Sequence, residues 1–214
     1  MENDKNINVI NVIILGDKEV GKTSIFNFIK ENNSTDINND INDIDCFILK
    51  ANYEKKNTTI SLNIKDIKNP ENFKGNIPIQ YIRNNHIVLL VFSDLKSLNN
   101  IKENWYKFNK ENTNIENTRY ILIGNKADLF GDERDEIIKQ GNIFAEEIDA
   151  HFITCSVISK DNLDNIERYI ITEAKRFIDE EDKKLNEKKN NIELKEENED
   201  ENENNYDNRN CCFC

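Results

Sequence analysis

Blocks of apolar residues recur along the first 180 positions and are separated by charged or Asn-rich segments. Short apolar runs predict β-strands near residues 8–15, 45–53, 58–66, 86–92, 119–124 and 151–155. Apolar residues at helical spacing predict helices near residues 22–31, 97–110, 134–148 and 162–180. Because strands and helices alternate, the pattern predicts an α/β fold with a mainly parallel sheet.

The last predicted helix carries a stripe of apolar side chains, and the composition changes soon after it. The stripe, which we expect to pack into the core, contains Leu163, Ile166, Tyr169, Ile170, Ala174 and Phe177. Glu and Asn dominate from about residue 181, and such a segment buries too little apolar surface to offset the entropy of ordering. We therefore expect a folded domain over residues 1–180 and a flexible, acidic, Asn-rich tail over residues 181–214.

The charge of the chain narrows the choice of partners. The formal net charge is −12, and the tail is acidic. This charge argues against nucleic acid as a partner and against electrostatic attraction to anionic lipid.

A glycine-bounded loop follows the first predicted strand and opens the first predicted helix. Its residues are Gly16, Asp17, Lys18, Glu19, Val20, Gly21, Lys22 and Thr23, followed by Ser24. The glycines let backbone N–H groups point at phosphate oxygens, and the helix adds its positive N-terminal end. Lys22 is expected to reach the β- and γ-phosphates and the Thr23 hydroxyl to bind Mg²⁺. The motif predicts a site for a nucleotide diphosphate or triphosphate.

A second polar loop, after the fifth predicted strand, indicates which base is bound. Asn125, Lys126 and Asp128 match a guanine-selective Asn-Lys-x-Asp motif. The Asp128 carboxylate can accept hydrogen bonds from N1–H and the 2-amino group of guanine, whereas adenine lacks this donor pair. Asn125 is expected to bond the base and pin the loop, and the Lys126 stem to cover the purine face. The predicted ligands are therefore GTP and GDP.

Together these motifs make residues 8–180 resemble a Ras-superfamily small GTPase of the Rab family. Residues 81–94, followed by residues 97–101 and Trp105, resemble the family's fourth strand and third helix. The resemblance implies the P-loop small GTPase fold: a mainly parallel six-stranded sheet, about five helices and a disordered C-terminal tail. It also implies binding of GTP and GDP with Mg²⁺ and a role in vesicle-mediated protein transport.

The resemblance assigns further residues and partners. Asp66 matches the family's carboxylate at the Mg²⁺ site. Ser156, Val157 and Ile158 stand where a small GTPase has Ser-Ala-Lys, and the base contact there would come mainly from backbone N–H groups. The implied partners are an exchange factor, a prenylation escort and effectors.

Three of the five cysteines lie in the last four residues of the sequence, at Cys211, Cys212 and Cys214. They resemble the prenylated end of Rab proteins, and two lipid chains anchor a protein more stably than one. Which of them are modified stays open. Because the sequence lacks a signal peptide and an apolar run of ~20 residues, we expect a lipid-anchored protein on the cytoplasmic face of endomembranes, with a cytosolic pool. The internal Cys46 and Cys155 are expected to be buried, reduced thiols.

The residues after the third predicted strand depart from the Rab pattern. Asn69 replaces the Gly whose N–H meets the γ-phosphate, and Pro70 replaces the Gln that orients the attacking water. Proline has no side-chain hydrogen-bonding group and restricts the residue before it. We therefore expect weak or absent intrinsic GTP hydrolysis, and the sequence offers no candidate catalytic residue.

Other positions at which Rab proteins sense the nucleotide or contact partners also differ from the Rab pattern. Family spacing would place a Mg²⁺-binding Thr at residues 41–43, where the chain has Ile-Asn-Asp, and Thr35 lies several residues too early. Lys18 is bulky for its position and would obstruct a catalytic arginine from an activating protein. Lys65 and Gln80 replace the Trp and Tyr of the aromatic effector patch, so unusual effectors are expected.

Three interpretations stay open. A Rab-like switch would bind GTP and GDP, hydrolyse slowly and recruit unusual effectors to a membrane. A pseudo-GTPase would be a nucleotide-stabilised, membrane-tethered binding module that does not cycle. An ATP-using kinase is disfavoured by the guanine motif at residues 125–128 and by the lack of a lid-like run of arginines. The replacements at Asn69, Pro70 and residues 41–43 favour the pseudo-GTPase, whereas the overall resemblance favours the Rab-like switch.

Overall fold

The computed structural model describes the backbone of residues 9–32, 44–67 and 79–207, and the side chains of these residues as far as residue 187. Within them, the strands are β1 (Val9–Gly16), β2 (Ile44–Tyr53), β3 (Thr58–Ile67), β4 (Ile87–Phe92), β5 (Arg119–Gly124) and β6 (His151–Thr154). The helices are α1 (Lys22–Asn32), α2 (Ile79–Ile82), α3 (residues 95–112), α4 (Arg134–Glu147) and α5 (Leu163–Asp207). Single 3₁₀ turns occupy Glu54–Lys56, Ala127–Leu129 and Gly131–Glu133.

Helix α3 is not a uniform α-helix. It begins as the α-helical stretch Leu95–Asn100, continues as a π-helix over Ile101–Tyr106 and ends as the α-helical stretch Lys107–Asn112. Its N-terminus has a capping box in which Asp94 accepts from the Ser97 backbone N–H and the Ser97 hydroxyl accepts in return. The sequence predicted one regular helix here, so the π-helical stretch is a feature that it did not reveal.

The six strands form one sheet in the order β2-β3-β1-β4-β5-β6, in which the edge strand β2 is antiparallel and the other neighbours are parallel. Both ends of every strand lie within one residue of their predicted positions. The predicted α/β fold is therefore confirmed. In such a sheet the loops after parallel strands open at one edge, where ligands bind. The loops after β1, β5 and β6 share this edge.

Strand β4 lies at the centre of the sheet, and all its residues are buried. One face of the sheet belongs to a buried cluster with Leu98 and Ile101 of α3 and Ile137 and Phe144 of α4. Burial of apolar side chains on this scale is the main driving force for folding. The cluster places α3 beside the strands that lead to the predicted site.

The opposite face of the sheet is buried as well. Val12 and Ile14 of β1 alternate with the residues of the first face and are inaccessible to solvent. Phe26 of α1 meets Phe47 of β2 edge to face, with ring centroids 5.1 Å apart. From the predicted stripe on α5, the buried residues include Leu163, Ile166, Ile170 and Ala174. Tyr169 is half-buried and stacks on His151 at 4.5 Å.

Helix α5 extends much further than predicted, to Asp207 rather than to about residue 180. The predicted end was wrong because the sequence after Gly141 contains neither Gly nor Pro, and Glu and Lys are strong helix formers. Ion pairs one turn apart, Arg176 with Glu180 and Lys184 with Glu181, add local support. The flexibility of the tail stays a prediction, and residues 208–214 lie outside the described residues. The chain divides into the compact units Met1–Lys175 and Arg176–Cys214.

Two further expectations concern membrane-spanning helices and the internal cysteines. None of the helices in the described part of the chain has the length and apolarity of a membrane span. Cys155 is buried as expected, whereas Cys46 is only half-buried, and neither forms a disulfide.

Candidate functional site

The loop between β1 and α1 has the tight backbone that a phosphate-binding loop requires. Gly16 and Gly21 adopt φ values of +149° and +95°, and Glu19 adopts +65°. A Cβ atom at Gly16 would lie 2.2 Å from the Val91 carbonyl oxygen. Only glycine therefore fits at this close approach.

Lys22 lies at the first position of α1 and is only 8% exposed. Its ammonium group donates to the Asp17 carbonyl oxygen at 2.5 Å, so the side chain folds back over the loop. The loop thus combines a held cation with the N-terminus of an eleven-residue helix. This combination attracts anions and suits the phosphates of a nucleotide.

Thr23 and Asp66 bring oxygen atoms together beside the loop. The Thr23 hydroxyl donates to Asp66 Oδ2 at 2.6 Å, and Asp66 is completely buried near the end of β3. Its strand position pairs with Ile14 of β1, which explains how two distant segments meet. A hydroxyl and a carboxylate are the hard oxygen donors that Mg²⁺ prefers, so the residues present fit this ion.

The predicted base-binding loop after β5 is fixed from three sides. The Asn125 backbone N–H donates to the Phe92 carbonyl at 2.8 Å, and its side-chain Nδ2 donates to the Val20 carbonyl at 2.8 Å. The Cys155 thiol lies 3.6 Å from Asn125 Oδ1 and donates to it. The side chain of Asn125 therefore ties this loop to the phosphate loop.

The residues that would face the base are less enclosed. Lys126 is half-buried. Its left-handed backbone conformation, with φ of +59°, starts the turn Ala127–Leu129. Asp128 is exposed in that turn. An exposed carboxylate can accept hydrogen bonds from an incoming ligand without first breaking contacts within the protein.

The segment after β6 is also joined to this loop. The Cys155 N–H donates to the Gly124 carbonyl, and the Ala127 N–H donates to the Cys155 carbonyl, both at 2.9 Å. Ser156 is buried, and its backbone N–H donates to the Asp161 carbonyl at 3.2 Å. A backbone contact from this segment to the base would therefore have to come from the half-buried Val157 or from Ile158, whose side chain is 81% exposed.

The structure thus brings together the loop at residues 16–24, Asp66, Asn125 and the start of the segment after β6. Lys18 and Ser24 are exposed at the loop. Asn69, Pro70, Thr35, residues 41–43 and the three C-terminal cysteines lie outside the described residues.

The structure includes both positions, residues 65 and 80, at which the aromatic residues of the effector patch are replaced. Lys65 is half-buried in β3 opposite Cys46 of β2, and burial lowers the pKa of its ammonium group. Gln80 is exposed in α2. The cation at residue 65 is therefore partly withdrawn from solvent.

Sequence reasoning missed the contacts that α3 makes with the phosphate loop. The Trp105 indole donates to Asp17 Oδ1 at 2.8 Å, and the Asn100 amide donates to the same oxygen. In the sequence, Trp105 stands out only through the resemblance to Rab proteins. The π-helical register that aims it at Asp17 leaves no mark in the apolar pattern.

Comparison with known proteins agrees with this geometry. The model of the Ras family matches residues 11–176. Ras-related protein RABE1d of Arabidopsis thaliana is 30% identical over 178 residues, which cover 82% of this chain and 80% of that protein. RABE1e of the same plant is 27% identical over 95% of this chain and 92% of its own length. Rab-13 of Mesocricetus auratus is 32% identical over 72% of this chain and 73% of its own length. The chain therefore belongs to the Ras family and is a Rab-type small GTPase.

Proposed function

We propose that this chain binds GTP and GDP with Mg²⁺ and acts in vesicle-mediated protein transport as a membrane-tethered Rab-like GTPase. The observation that carries the proposal is the hydrogen bond from Asn125 to Val20, which holds a guanine-type loop against a phosphate loop. A nucleotide has a base and phosphates joined by a short ribose. Two loops fixed to each other can therefore bind both ends of one ligand.

The phosphate end would be bound by the Lys22 ammonium group and the backbone N–H groups at the start of α1. Thr23 and Asp66 would hold Mg²⁺, which when bound neutralises charge on the phosphates. The short hydrogen bond between Thr23 and Asp66 supports this assignment, because it places the two oxygen atoms that would bind the metal beside the loop.

The base end would be selected by Asp128. Its exposed carboxylate would accept from N1–H and the 2-amino group of guanine, with the Lys126 stem against the ring. Adenine would leave the carboxylate without these donors and would lose the corresponding hydrogen bonds. The proposed ligand is therefore a guanine nucleotide.

Weak or absent hydrolysis is part of the proposal. Pro70 stands where a Rab has its water-orienting Gln, and no side-chain group of proline can align a water molecule. The same replacement favours a second candidate function, a pseudo-GTPase that holds nucleotide without cycling. The nucleotide found on the protein separates the two functions.

Attachment to membranes would depend on prenylation within the C-terminal group Cys211, Cys212 and Cys214. The net charge of −12 supports a lipid anchor, because an acidic protein gains nothing from anionic headgroups. Two prenyl chains would suffice for stable attachment on the cytoplasmic face of an endomembrane. The proposal includes a prenylation escort and an exchange factor as partners.

Effectors would have to differ from those of ordinary Rab proteins. Lys65 places a half-buried cation where an aromatic contact surface would be, and a partner would have to desolvate it or pair with it. An effector with a carboxylate opposite Lys65 fits this surface better than an apolar one.

The test is the nucleotide carried by the purified full-length protein, released by denaturation and separated by chromatography. We expect about one guanine nucleotide per chain and almost none on Lys22→Ala. Lys50→Ala, which removes an exposed lysine from β2, serves as the matched control. Bound GTP would favour the non-cycling candidate, and bound GDP would favour a cycling GTPase. Protein that carries no guanine nucleotide and binds none when it is added would overturn the proposal.

A further inference from the structure

The carboxylate of Asp17 in the phosphate loop receives two hydrogen bonds from one turn of α3. Trp105 Nε1 donates to Asp17 Oδ1 at 2.8 Å, and Asn100 Nδ2 donates to the same oxygen. Asn104 Nδ2 donates to Asn100 Oδ1, which turns the amide nitrogen of Asn100 towards Asp17. The contacts join residues 83 and 88 positions apart in the chain.

The π-helical stretch explains how both donors reach one oxygen. Residues five apart in an α-helix point roughly 140° away from each other, since each residue turns the helix by about 100°. In a π-helix the hydrogen bond runs from residue i to residue i+5, so such residues lie one turn apart on the same side. Asn100 directly precedes the stretch Ile101–Tyr106, and Trp105 lies within it. The irregular turn therefore aims Asn100 and Trp105 at Asp17.

Asp17 is in turn connected to the lysine of the phosphate loop. Its backbone carbonyl accepts from the Lys22 ammonium group at 2.5 Å. A chain of contacts thus runs from α3 through the side chain and backbone of Asp17 to Lys22. A shift of Asp17 would displace the carbonyl that holds the ammonium group.

The charge of Asp17 gives these contacts a second effect. A carboxylate in a loop that binds phosphates repels them at short range. Two donors on α3 fix the carboxylate on the side of that helix and offset part of its negative charge. Their loss would free the carboxylate to turn towards the ligand.

We propose that Trp105 and Asn100 are positioning residues that slow the release of guanine nucleotide by holding Asp17, with the π-helical stretch as the device that aligns them. The inference rests on the proposed function, because it requires that the loop binds a nucleotide. It assigns to α3 a role in nucleotide retention.

The test measures the rate at which a fluorescent GDP analogue dissociates from the full-length protein in excess unlabelled GDP. Trp105→Phe keeps an aromatic ring but removes the N–H donor. We expect dissociation about tenfold faster, as for loss of a hydrogen bond to a charged group. Tyr106→Phe is the matched control: it removes a hydroxyl that contacts Lys110 from the same helical stretch, and its rate should stay within about twofold of wild type. If Trp105→Phe impairs folding, Asn100→Ala removes the other donor and should also speed dissociation.

A double-mutant cycle with Asp17→Asn separates positioning from general destabilisation. Asp17→Asn keeps an oxygen acceptor but removes the charge, so Trp105→Phe should have a smaller effect in that background than in wild type. Equal effects in both backgrounds would show that Trp105 acts independently of the carboxylate and would overturn the inference.

The single tryptophan of the sequence offers an independent signature. All indole fluorescence comes from Trp105, so Asp17→Ala should change the emission maximum, whereas Lys50→Ala should not. Wild-type protein that carries no guanine nucleotide and binds none when it is added would overturn both the proposed function and this inference. Retention by wild type with an unchanged rate in Trp105→Phe and Asn100→Ala would overturn the inference alone.

Discussion

Asn125 donates its side-chain amide to the backbone carbonyl of Val20 at 2.8 Å, across 105 positions of sequence. Both residues are only 2% exposed. The orientation of the amide is fixed from its other end, because the Cys155 thiol donates to Oδ1. A Cβ atom at Gly21 would lie 2.2 Å from the same Nδ2, so the phosphate loop fits closely around this contact. Movement of either loop is therefore expected to alter the other.

Asn125→Ala should release nucleotide at least about tenfold faster than wild type. The substitution leaves the buried Val20 carbonyl without its donor, which costs about 1–3 kcal/mol, and it separates the two loops. Dissociation of a fluorescent GDP analogue measures the effect. Asn142→Ala is the control, since Asn142 is an exposed residue of α4 whose amide contacts only the Ile138 carbonyl among the hydrogen bonds described. Equal rates for Asn125→Ala and the control would contradict a coupling of the two loops.

Asp128→Asn should weaken discrimination for guanine by orders of magnitude. An amide in place of the carboxylate offers only one acceptor oxygen and places an N–H group opposite a donor of the base. Xanthine has a carbonyl where guanine has the 2-amino group, so the variant should gain affinity for xanthosine diphosphate. Competition between the two nucleotides measures the ratio. Asp132→Asn, an exposed acid in the next turn, should leave the ratio unchanged.

Much of this architecture follows from local pattern. The strand boundaries were predictable because each strand is a short apolar run or, in β3, an alternation of apolar and polar residues. The phosphate loop was predictable because its glycines are required locally, as the 2.2 Å approach at Gly16 illustrates. Asn125 was predicted to pin its loop, but its partner Val20 depends on how β5 and β1 are placed in the sheet. Tertiary contacts of this kind leave no periodic signal.

Other features could not be predicted from the sequence, for different reasons. The sequence misplaces the end of α5 because a polar composition is typical of coil, although Glu and Lys also favour helix. The contact of Trp105 with Asp17 depends on a change of helical register within α3. The hydrogen bond from the Ser156 N–H to the Asp161 carbonyl depends on the turn after β6. All three depend on backbone geometry that the order of apolar residues does not specify.

Stability should fall at alkaline pH in part through Cys155. Burial, reinforced by the nearby Asp161 carboxylate, raises the pKa of this thiol to about 12. The unfolded chain releases the proton near pH 8.5, while the folded chain keeps it. The contribution of the protonated Cys155 thiol to the free energy of unfolding is therefore fully present below about pH 8.5, and it is lost as pH rises towards about 12.

Urea unfolding of wild type and Cys155→Ala between about pH 8 and 10.5 measures this contribution. Well above pH 8.5 the free energy of unfolding should decline more steeply in wild type, by up to about 1.4 kcal/mol per pH unit. Burial also raises the pKa of Tyr120, but this residue is present in both proteins and cancels in the comparison. Parallel pH profiles would show that the thiol ionises as easily in the folded chain as in the unfolded one.

Replacement of Cys211, Cys212 and Cys214 by Ser should move the protein from the membrane fraction to the cytosol. With an acidic chain, the prenyl groups are the expected source of membrane affinity. Fractionation of cells that express the full-length chain provides the measurement. Cys46→Ser, which alters an internal half-buried cysteine, should leave the distribution unchanged. A triple variant still in the membrane fraction would mean that a protein partner holds it there.

Intrinsic single-turnover hydrolysis of GTP should fall below the ~10⁻⁴ s⁻¹ of an ordinary unassisted small GTPase. Alignment of a water molecule with the γ-phosphate requires a polar group that both donates and accepts, and Pro70 supplies none. The double substitution Asn69→Gly with Pro70→Gln should raise the rate only partly, because residues 41–43 also lack the Thr that senses the γ-phosphate. Release of phosphate from preloaded protein gives the rate.

Pro78→Gln is the matched control, because it places the same side chain at the only other proline of the sequence and should not change the rate. A fully restored rate in the double variant would show that hydrolysis needs no Thr at residues 41–43. Wild-type hydrolysis at or above the ordinary rate would show that another residue, such as Glu71 or Lys68, positions the water. The protein would then cycle as a switch, and the pseudo-GTPase would be excluded, because nucleotide turnover is the property that separates the two functions.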